Sequence, residues 1–315
     1  MNKATILFIL LLTVSSIWAG GFMIKEENDA FGYENTDSYY TQGLEISYIG
    51  DPEVSDKQII RRLYSVRNLI YTPMDIEIAE PQLDDRPWAG LTAATYTTWE
   101  SNDKDFVVKE LMLGVVGPWS QSDNIQTEFH RLIHNQLPMG WSNQIPNEVI
   151  INFTMDTYRR IWNIGEIEKG WAMDGAGVYG GSIGNAFVYG KGGLIGRAGW
   201  NLPESYKMNI ITPTMVSMNS FFNNLSIFLF AEVDGKAVLH NITLGGSLFQ
   251  SGPSQELNNF VVDTKLGTTL GLNRIFGTSM DLDISYAQTL RSREFRKQDE
   301  PANYGSITLS LMRGF

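Results

Sequence analysis

Imidazole is the side chain that titrates nearest neutrality, and the 315-residue chain holds three: His130, His134 and His240. There is no cysteine, so thiol nucleophiles, thiolate metal sites and disulfides are excluded together. No serine is read as sitting in the strained strand-to-helix elbow that Ser-His-Asp chemistry uses. His130 and His134 lie four residues apart, a spacing that can grip zinc from one helix face. Their segment, His130-Arg131-Leu132-Ile133-His134, lacks the glutamate of the metalloprotease signature. The three histidines are therefore a small pool of candidate general bases. The run Glu26-Glu27-Asn28-Asp29, followed by Thr36-Asp37 and Tyr39-Tyr40-Thr41, crowds carboxylate, amide and hydroxyl oxygens, a donor set suited to calcium. Read alone, that run is also what a solvated acidic loop looks like, and His130 what a solvated helix-surface histidine looks like.

The elements that must position these groups start with an export signal. Met1-Asn2-Lys3 is basic, residues 6–14 are apolar, and the segment ending Trp18-Ala19-Gly20 is a small-residue cleavage region. The expectation is a signal peptide over residues 1–19 and one domain over residues 20–315. No later stretch approaches the roughly 18 apolar residues of a membrane helix. A formal charge of -11 argues against a nucleic-acid surface. Charged residues are 19% of the chain, below the roughly 25% of a soluble domain, while 30 glycines and 12% aromatics are high.

The mature chain alternates apolar and small or polar residues, segment after segment. Leu44, Ile46 and Tyr48 oppose Glu45 and Ser47; Ile227, Leu229 and Val233 oppose Ser226 and Glu232; Ile284 and Tyr286 oppose Asp283 and Ser285. The chain closes Ile307, Leu309, Leu311, Arg313, Phe315, ending on an aromatic. A period of two over about ten residues is what a barrel strand in lipid requires. Twelve or thirteen such segments can be counted, and closed single-chain bacterial barrels take even numbers, so the expected fold is all-β: an antiparallel transmembrane β-barrel of about 12 strands. The glycines between Gly175 and Gly199 suit curved, tilted strands, and Trp88, Trp99, Trp119, Trp141, Trp162, Trp171 and Trp200 read as an interfacial girdle.

One loop carries a short helix, within residues 120–136. Ile125, Phe129, Leu132 and Ile133 share an arc, Ser120 and Asp123 form a weak capping box, and Gln126, His130 and His134 line up at its border. The expected packing is apolar arc against barrel, with His130 at the sheltered edge. His134 and His240 read as structural, His240 on a strand and facing the lumen.

Several segments then carry a resemblance. Glu27-Asn28-Asp29-Ala30-Phe31 and Thr36-Asp37-Ser38-Tyr39-Tyr40-Thr41-Gln42-Gly43 open it. Tyr71-Thr72-Pro73, Asp85-Arg86-Pro87-Trp88-Ala89-Gly90 and Gly117-Pro118 follow. Gln126, His130, Gly140-Trp141, Gln144, Asn147, Glu148 and a late stretch from Val233 to Gly246 complete it. In that order, across the mature chain, they resemble the lipid A 3'-O-deacylase (LpxR-type) outer-membrane family. The resemblance implies a twelve-stranded outer-membrane barrel of a Gram-negative cell, expected to be a monomer, with lipid A in lipopolysaccharide as substrate. It implies calcium-dependent hydrolysis of the 3'-linked acyloxyacyl ester. His130 would activate water, Asp29 would bind Ca2+, Asn28 would help hold the oxyanion, and Thr41 and Gln126 would line the site.

The chain departs from the family pattern twice. Met74-Asp75-Ile76-Glu77-Ile78-Ala79-Glu80 is acidic and apolar where members can carry a Lys-Arg pair, and Gln136 stands where an acidic residue can follow the histidine. The alternatives are a non-catalytic, porin-like or structural barrel, and a phospholipase acting on glycerophospholipid esters.

Overall fold

The computed structural model describes residues 20–32, 39–55, 58–102, 104–203, 225–275 and 278–313. The expected signal peptide, Thr36-Asp37-Ser38 and the closing Phe315 lie outside the described residues.

Period-two segments become strands in chain order: β1 (Gly21–Asn28), β2 (Gln42–Ile49), β3 (Glu53–Ser55), β4 (Gln58–Tyr71), β5 (Ala89–Ser101), β6 (Asp105–Val116), β7 (Glu148–Ile164), β8 (Trp171–Gly184), β9 (Phe187–Trp200), β10 (Leu225–Asn241), β11 (Phe260–Leu272), β12 (Met280–Arg291) and β13 (Ala302–Arg313). Each pairs antiparallel with its neighbours, β13 returns to β1, and β2 pairs with β4 across β3. The sheet therefore closes as a twelve-stranded barrel, and β3 is a three-residue hairpin flap on β4 alone. Closure leaves no unpaired edge, which is the condition for a sheet to cross lipid. No described helix is long and apolar enough to cross a membrane, and the strands take that role.

Alternation sorts the two faces. Ile46, Val66, Leu113, Ile151, Leu194, Leu229, Leu266 and Leu309 project outward and are exposed, the apolar belt a bilayer covers. The inward set is charged and buried. Arg67 bridges Glu45 at 2.8 Å and Glu110 at 3.0 Å, Lys191 meets Asp156 at 2.7 Å, and Asp263 takes both Arg291 (2.8 Å) and Lys236 (2.7 Å). Interior glycines of β8 and β9 make room for these side chains: a Cβ on Gly180 would stand 2.2 Å from Asp156 Oδ1, and one on Gly193 2.7 Å from Asp234. Their purpose is thus space in the lumen as well as curvature.

Towards the chain termini the lumen is filled by Met23, Trp99, Phe106, Tyr158, Phe228, Phe230 and Met312, packed as one cluster. A lumen plugged by aromatic side chains is not the water-filled channel of a porin. The tryptophans divide, contrary to the single girdle expected. Trp162, Trp171 and Trp200 are exposed at the terminal end of β7, β8 and β9, and Trp119 is exposed at the other end, whereas Trp99 belongs to the plug. Trp88 and Trp141 are buried together with Ile70 and Ile76 outside the barrel wall.

Candidate active site

Along four adjacent strands the outward residues change character towards the end remote from the termini. On β1 they run Phe22, Ile24, Glu26, Asn28; on β2 Tyr48, Ile46, Leu44, Gln42; on β4 Tyr64, Val66, Asn68; and on β5 Tyr96, Ala94, Thr92. Each ladder begins apolar and ends polar. Polar groups on the lipid face of a barrel need partners, because lipid supplies none.

A helix supplies them. Gly117–Ser120 makes a 3-10 turn with proline at its start, and α1 (Ser122–Ile133) follows, resting on β4 and β5. Asn68 Nδ2 donates to Ser122 Oγ at 2.8 Å and to Thr92 Oγ1 at 2.8 Å, and Thr92 Oγ1 donates to Ser120 O at 2.7 Å. The buried residues of α1 are Ser122, Gln126 and His130, spaced i, i+4, i+8 on one face. The apolar arc points away: Ile125, Phe129 and Ile133 are exposed and Leu132 is 76% exposed. This reverses the packing expected from the amphipathic pattern, and the reason is the solvent. A helix standing on the outside of a membrane barrel has lipid on its far side, so the apolar arc faces out and the polar stripe turns to the polar wall. The capping box is not formed either. Gln121, in the left-handed region at φ 58°, is the N-cap without a side-chain cap bond, and Ser120 Oγ donates to Gly117 O at 2.7 Å. His134 caps the other end at φ 58° and is exposed, off the buried stripe.

The footing of the helix depends on Gly90. A Cβ there would lie 2.3 Å from Ser122 Cβ and 2.4 Å from the hydroxyls of Ser120 and Ser122. A Gly90→Leu protein is therefore expected to keep its barrel, seen as retained heat-modifiable migration on gels, while displacing α1. Any reaction that uses the polar stripe of α1 should fall by at least about tenfold in that variant, because misplacing a reacting group by an ångström costs on that order or more. Full activity in that variant would show that the helix is not part of the site.

His130 is 5% exposed, and its Nδ1 is bonded to the main-chain oxygen of Gln136. A carbonyl only accepts, so Nδ1 carries a proton and Nε2 is the ring nitrogen left open to act as a base. Gln136 thus orients the ring through its backbone, whatever its side chain. One turn away, Gln126 is 1% exposed. Its Oε1 accepts the indole N–H of Trp141 at 2.8 Å, which fixes the amide orientation, and its Nε2 has no partner among the described residues. Trp141 in turn packs on Trp88, with ring centroids 5.1 Å apart. The stripe therefore presents a base and an unspent donor one helical turn apart.

The remaining predicted residues lie on the neighbouring strands. Asn28 ends β1, its Oδ1 accepting Ala30 N at 2.8 Å, and it is opposite Gln42 of β2 in the ladder. Glu26 hydrogen-bonds Gln42 on the same wall. Asp29 opens a 3-10 turn and is 2% exposed. Thr41 joins its hydroxyl to that of Thr72 at 2.7 Å and donates its N–H to Ile70 O at 3.1 Å, tying β2 to the end of β4. The fold thus brings Asn28, Asp29, Thr41 and the footing of α1 to one end of strands β1, β2, β4 and β5. Behind them Tyr40 donates to Glu27 at 2.6 Å, and burial together with that carboxylate pushes its phenol well above the usual range. Arg86 stacks 4.5 Å over Tyr71, with burial pushing its guanidinium down and Glu294 opposing.

Calcium takes six to eight oxygens. Asp29 offers one buried carboxylate, but among the described residues no three acidic or imidazole groups converge on a point. Asp29 fits as one anchor of such a shell, and the rest of the shell is not found among the described residues.

Two other candidates fall elsewhere. His240, on β10, donates from Nε2 to Asn185 O at 3.0 Å and lines a lumen cavity of about 70 Å³ with Lys236, Arg291 and Glu294, on the other side of the wall from α1. Gly180-Gly181-Ser182-Ile183-Gly184 has the Gly-x-Ser-x-Gly spacing, which sequence reading passed over. It lies within β8, where Ser182 bonds Asn152 at 2.5 Å and Thr154 at 2.8 Å rather than standing in an elbow. Sequence reading also missed Asn68, Thr92 and Ser122, and it placed Trp141 in the girdle and among the motifs of the resemblance without its bond to Gln126. Ser122 was within reach, being one further step of the i, i+4 stripe.

The family model described as outer membrane protein LpxR matches residues 6–313. Among solved structures, LpxR from Salmonella typhimurium matches with a TM-score of 0.77 and 18% identity, over 94% of this chain and 100% of that one. The β domain of the Bordetella autotransporter BrkA gives a TM-score of 0.46 at 10% identity, over 95% of this chain and 100% of that one, a likeness too loose to argue from. At 18% identity the first of these shows the fold. No curated protein matches the chain in sequence.

Proposed function

The chain belongs to the LpxR family of outer-membrane proteins, and from that premise we propose that it is a lipid A deacylase hydrolysing the 3'-linked acyloxyacyl ester of lipopolysaccharide. The observation that carries the reading is the polar stripe of α1 turned onto a polar patch of the barrel's lipid face. A lipid ester enters such a cleft sideways from the bilayer, past Phe129, Leu132 and Ile133, without leaving the apolar phase.

The chemistry follows from the two side chains on the stripe. Nε2 of His130 takes a proton from a water molecule, and the hydroxide attacks the ester carbonyl carbon. Gln126 Nε2 donates to the carbonyl oxygen as it gains charge. When the tetrahedral species collapses, the imidazolium returns its proton to the leaving sugar oxygen, releasing the fatty acid and the free hydroxyl. Thr41 lines the cleft and Asn28 helps hold the oxyanion in this reading. We extend the proposal to calcium dependence, with Asp29 as the carboxylate anchor; a bound cation supplies positive charge near the carbonyl. Nothing in this chemistry requires a second copy of the chain.

The test uses purified protein and lipid A in mixed micelles made with oxygen-18 water. The expected product is a free acyloxyacyl acid carrying one heavy oxygen in its carboxylate, with turnover abolished by strong calcium chelation and restored by calcium. Release of acid from glycerophospholipid but not from lipid A would make the protein a phospholipase. No release from either would end the hydrolase reading, and turnover indifferent to chelation would end the calcium part alone.

A further inference from the structure

The loop between β4 and β5 forms part of the rim of the site. Its Ile76 packs with Ile70, Trp88 and Trp141, and the Ile76 carbonyl accepts Met139 N at 2.8 Å. Three residues on, the Ala79 carbonyl accepts Asn143 Nδ2 at 2.8 Å. The loop is thus docked on the segment that carries Trp141, whose indole holds Gln126. The residues flanking these two anchors are Asp75, Glu77 and Glu80, and all three are exposed. They are carried by a docked backbone, with Asp75 Oδ1 accepting Glu77 N at 2.9 Å.

The basic side chains nearby are committed elsewhere. Arg131 on α1 pairs with Glu128, and Lys297 pairs with Asp84 at the loop's far end. The rim therefore presents three carboxylates to any headgroup whose acyl chain reaches His130. A phosphate monoester carries between one and two negative charges at neutral pH. Set within a Debye length of three carboxylates, it is repelled, whereas a hydroxyl or an amine in its place is not.

We infer that this rim selects the substrate: the site takes an acylated sugar lipid whose headgroup beside the reacting ester carries no phosphate, bearing a free hydroxyl or an amine there instead. The inference rests on the deacylase reading for the reaction but makes a separate statement about binding. It assigns Asp75, Glu77 and Glu80 as specificity determinants, acting through charge and touching neither the water nor the ester.

Binding and turnover are measured separately. His130→Ala protein in neutral detergent micelles is titrated with two acylated glucosamine disaccharides, identical except that one bears a phosphate on the sugar next to the 3'-ester and the other a hydroxyl. Affinity for the hydroxyl lipid is expected to be about tenfold higher at low salt, with the gap closing at ionic strength near 1 M as screening shortens to a few ångströms. The triple variant Asp75→Lys, Glu77→Lys, Glu80→Lys, in the same His130→Ala background, should reverse the preference. All three positions are exposed, so its barrel is expected to stay folded, and Asn substitutions at the three positions should abolish the preference without reversing it. Equal affinity for the two lipids, or tighter binding of the phosphorylated one with or without added divalent cation, would overturn the inference. Turnover of both lipids by the unsubstituted protein is read in parallel. Its absence would count against the deacylase reading while the binding ratio still decides the rim.

Discussion

A His130→Ala protein is expected to lose lipid A hydrolysis by a factor on the order of 10² to 10⁴, the range a positioned general base contributes, while folding as the parent does. His130 is buried against the barrel's outer wall, and among the described residues its ring is hydrogen-bonded from Nδ1 to the Gln136 carbonyl. Removing the ring frees one backbone acceptor at a loop and breaks no strand pairing, so the loss falls on chemistry rather than on the barrel. The control is Gln136→Ala. Because the ring is held by the main chain, that substitution should leave the rate within about threefold, whereas a side chain acting as the orienting group would cost about tenfold or more on removal. Rates are followed as fatty acid released in mixed micelles, with folded protein quantified by heat-modifiable gel migration.

The second large effect is on stability. Asp263→Ala should destabilise the barrel by about 3 to 5 kcal/mol, the usual cost of stripping one partner from a buried ion pair. Asp263 is fully buried and accepts Arg291 Nε at 2.8 Å, Arg291 Nη2 at 3.0 Å and Lys236 Nζ at 2.7 Å. Its loss leaves a buried guanidinium and an ammonium facing each other across the lumen with Glu294 as the remaining acid near Arg291. Asp263→Asn keeps the acceptor and the shape, and should cost less. Urea midpoints of the protein in detergent micelles measure both, and a midpoint for Asp263→Ala equal to that of the parent would mean the lumen network contributes nothing. Since the cavity and these charges lie inside the wall and α1 outside it, residual hydrolysis at low urea should be close to normal. The two variants thereby separate a lumen that holds the barrel together from an exterior proposed to carry the chemistry.

Much of the fold was readable because a lipid-embedded strand has no freedom in its pattern. Ile227, Leu229 and Val233 had to face one way if Ser226 and Glu232 faced the other, and they do. The count of twelve followed from closure, with the thirteenth segment reduced to a flap. The helix was readable too, but its orientation was not. Amphipathicity tells which faces differ, and only the identity of the surrounding solvent tells which face turns in. Placing Phe129 and Ile133 against the barrel assumed water outside; lipid outside inverts the helix and moves His130 from the edge of the contact to its middle.

The site was partly legible for the same reason. His130 and Gln126 could be singled out by scarcity and spacing, but Asn68, Thr92 and Trp141 could not. Asn68 looks like a misplaced polar residue on an apolar strand face until Ser122 arrives 54 residues later to bond it at 2.8 Å. Trp141 reads as one more girdle aromatic until its indole is found on Gln126. Such pairings depend on how a long loop folds back on the wall, which strand periodicity does not encode. The acid-rich Met74 to Glu80 run was legible as charge but not as part of a rim, since its docking runs through backbone carbonyls.

The most direct test of a lipid A deacylase on the barrel's outer wall is the mass spectrum of lipid A from outer membranes. One Gram-negative strain whose lipid A bears a hydroxyl rather than a phosphate beside the 3'-ester would carry this chain, and the same strain would carry the His130→Ala variant in parallel, at equal amounts of folded barrel. The account predicts a lipid A population lighter by one acyloxyacyl group with the unsubstituted chain, and the parent mass alone with the variant. Identical spectra, whether both shifted or both unshifted, would contradict it.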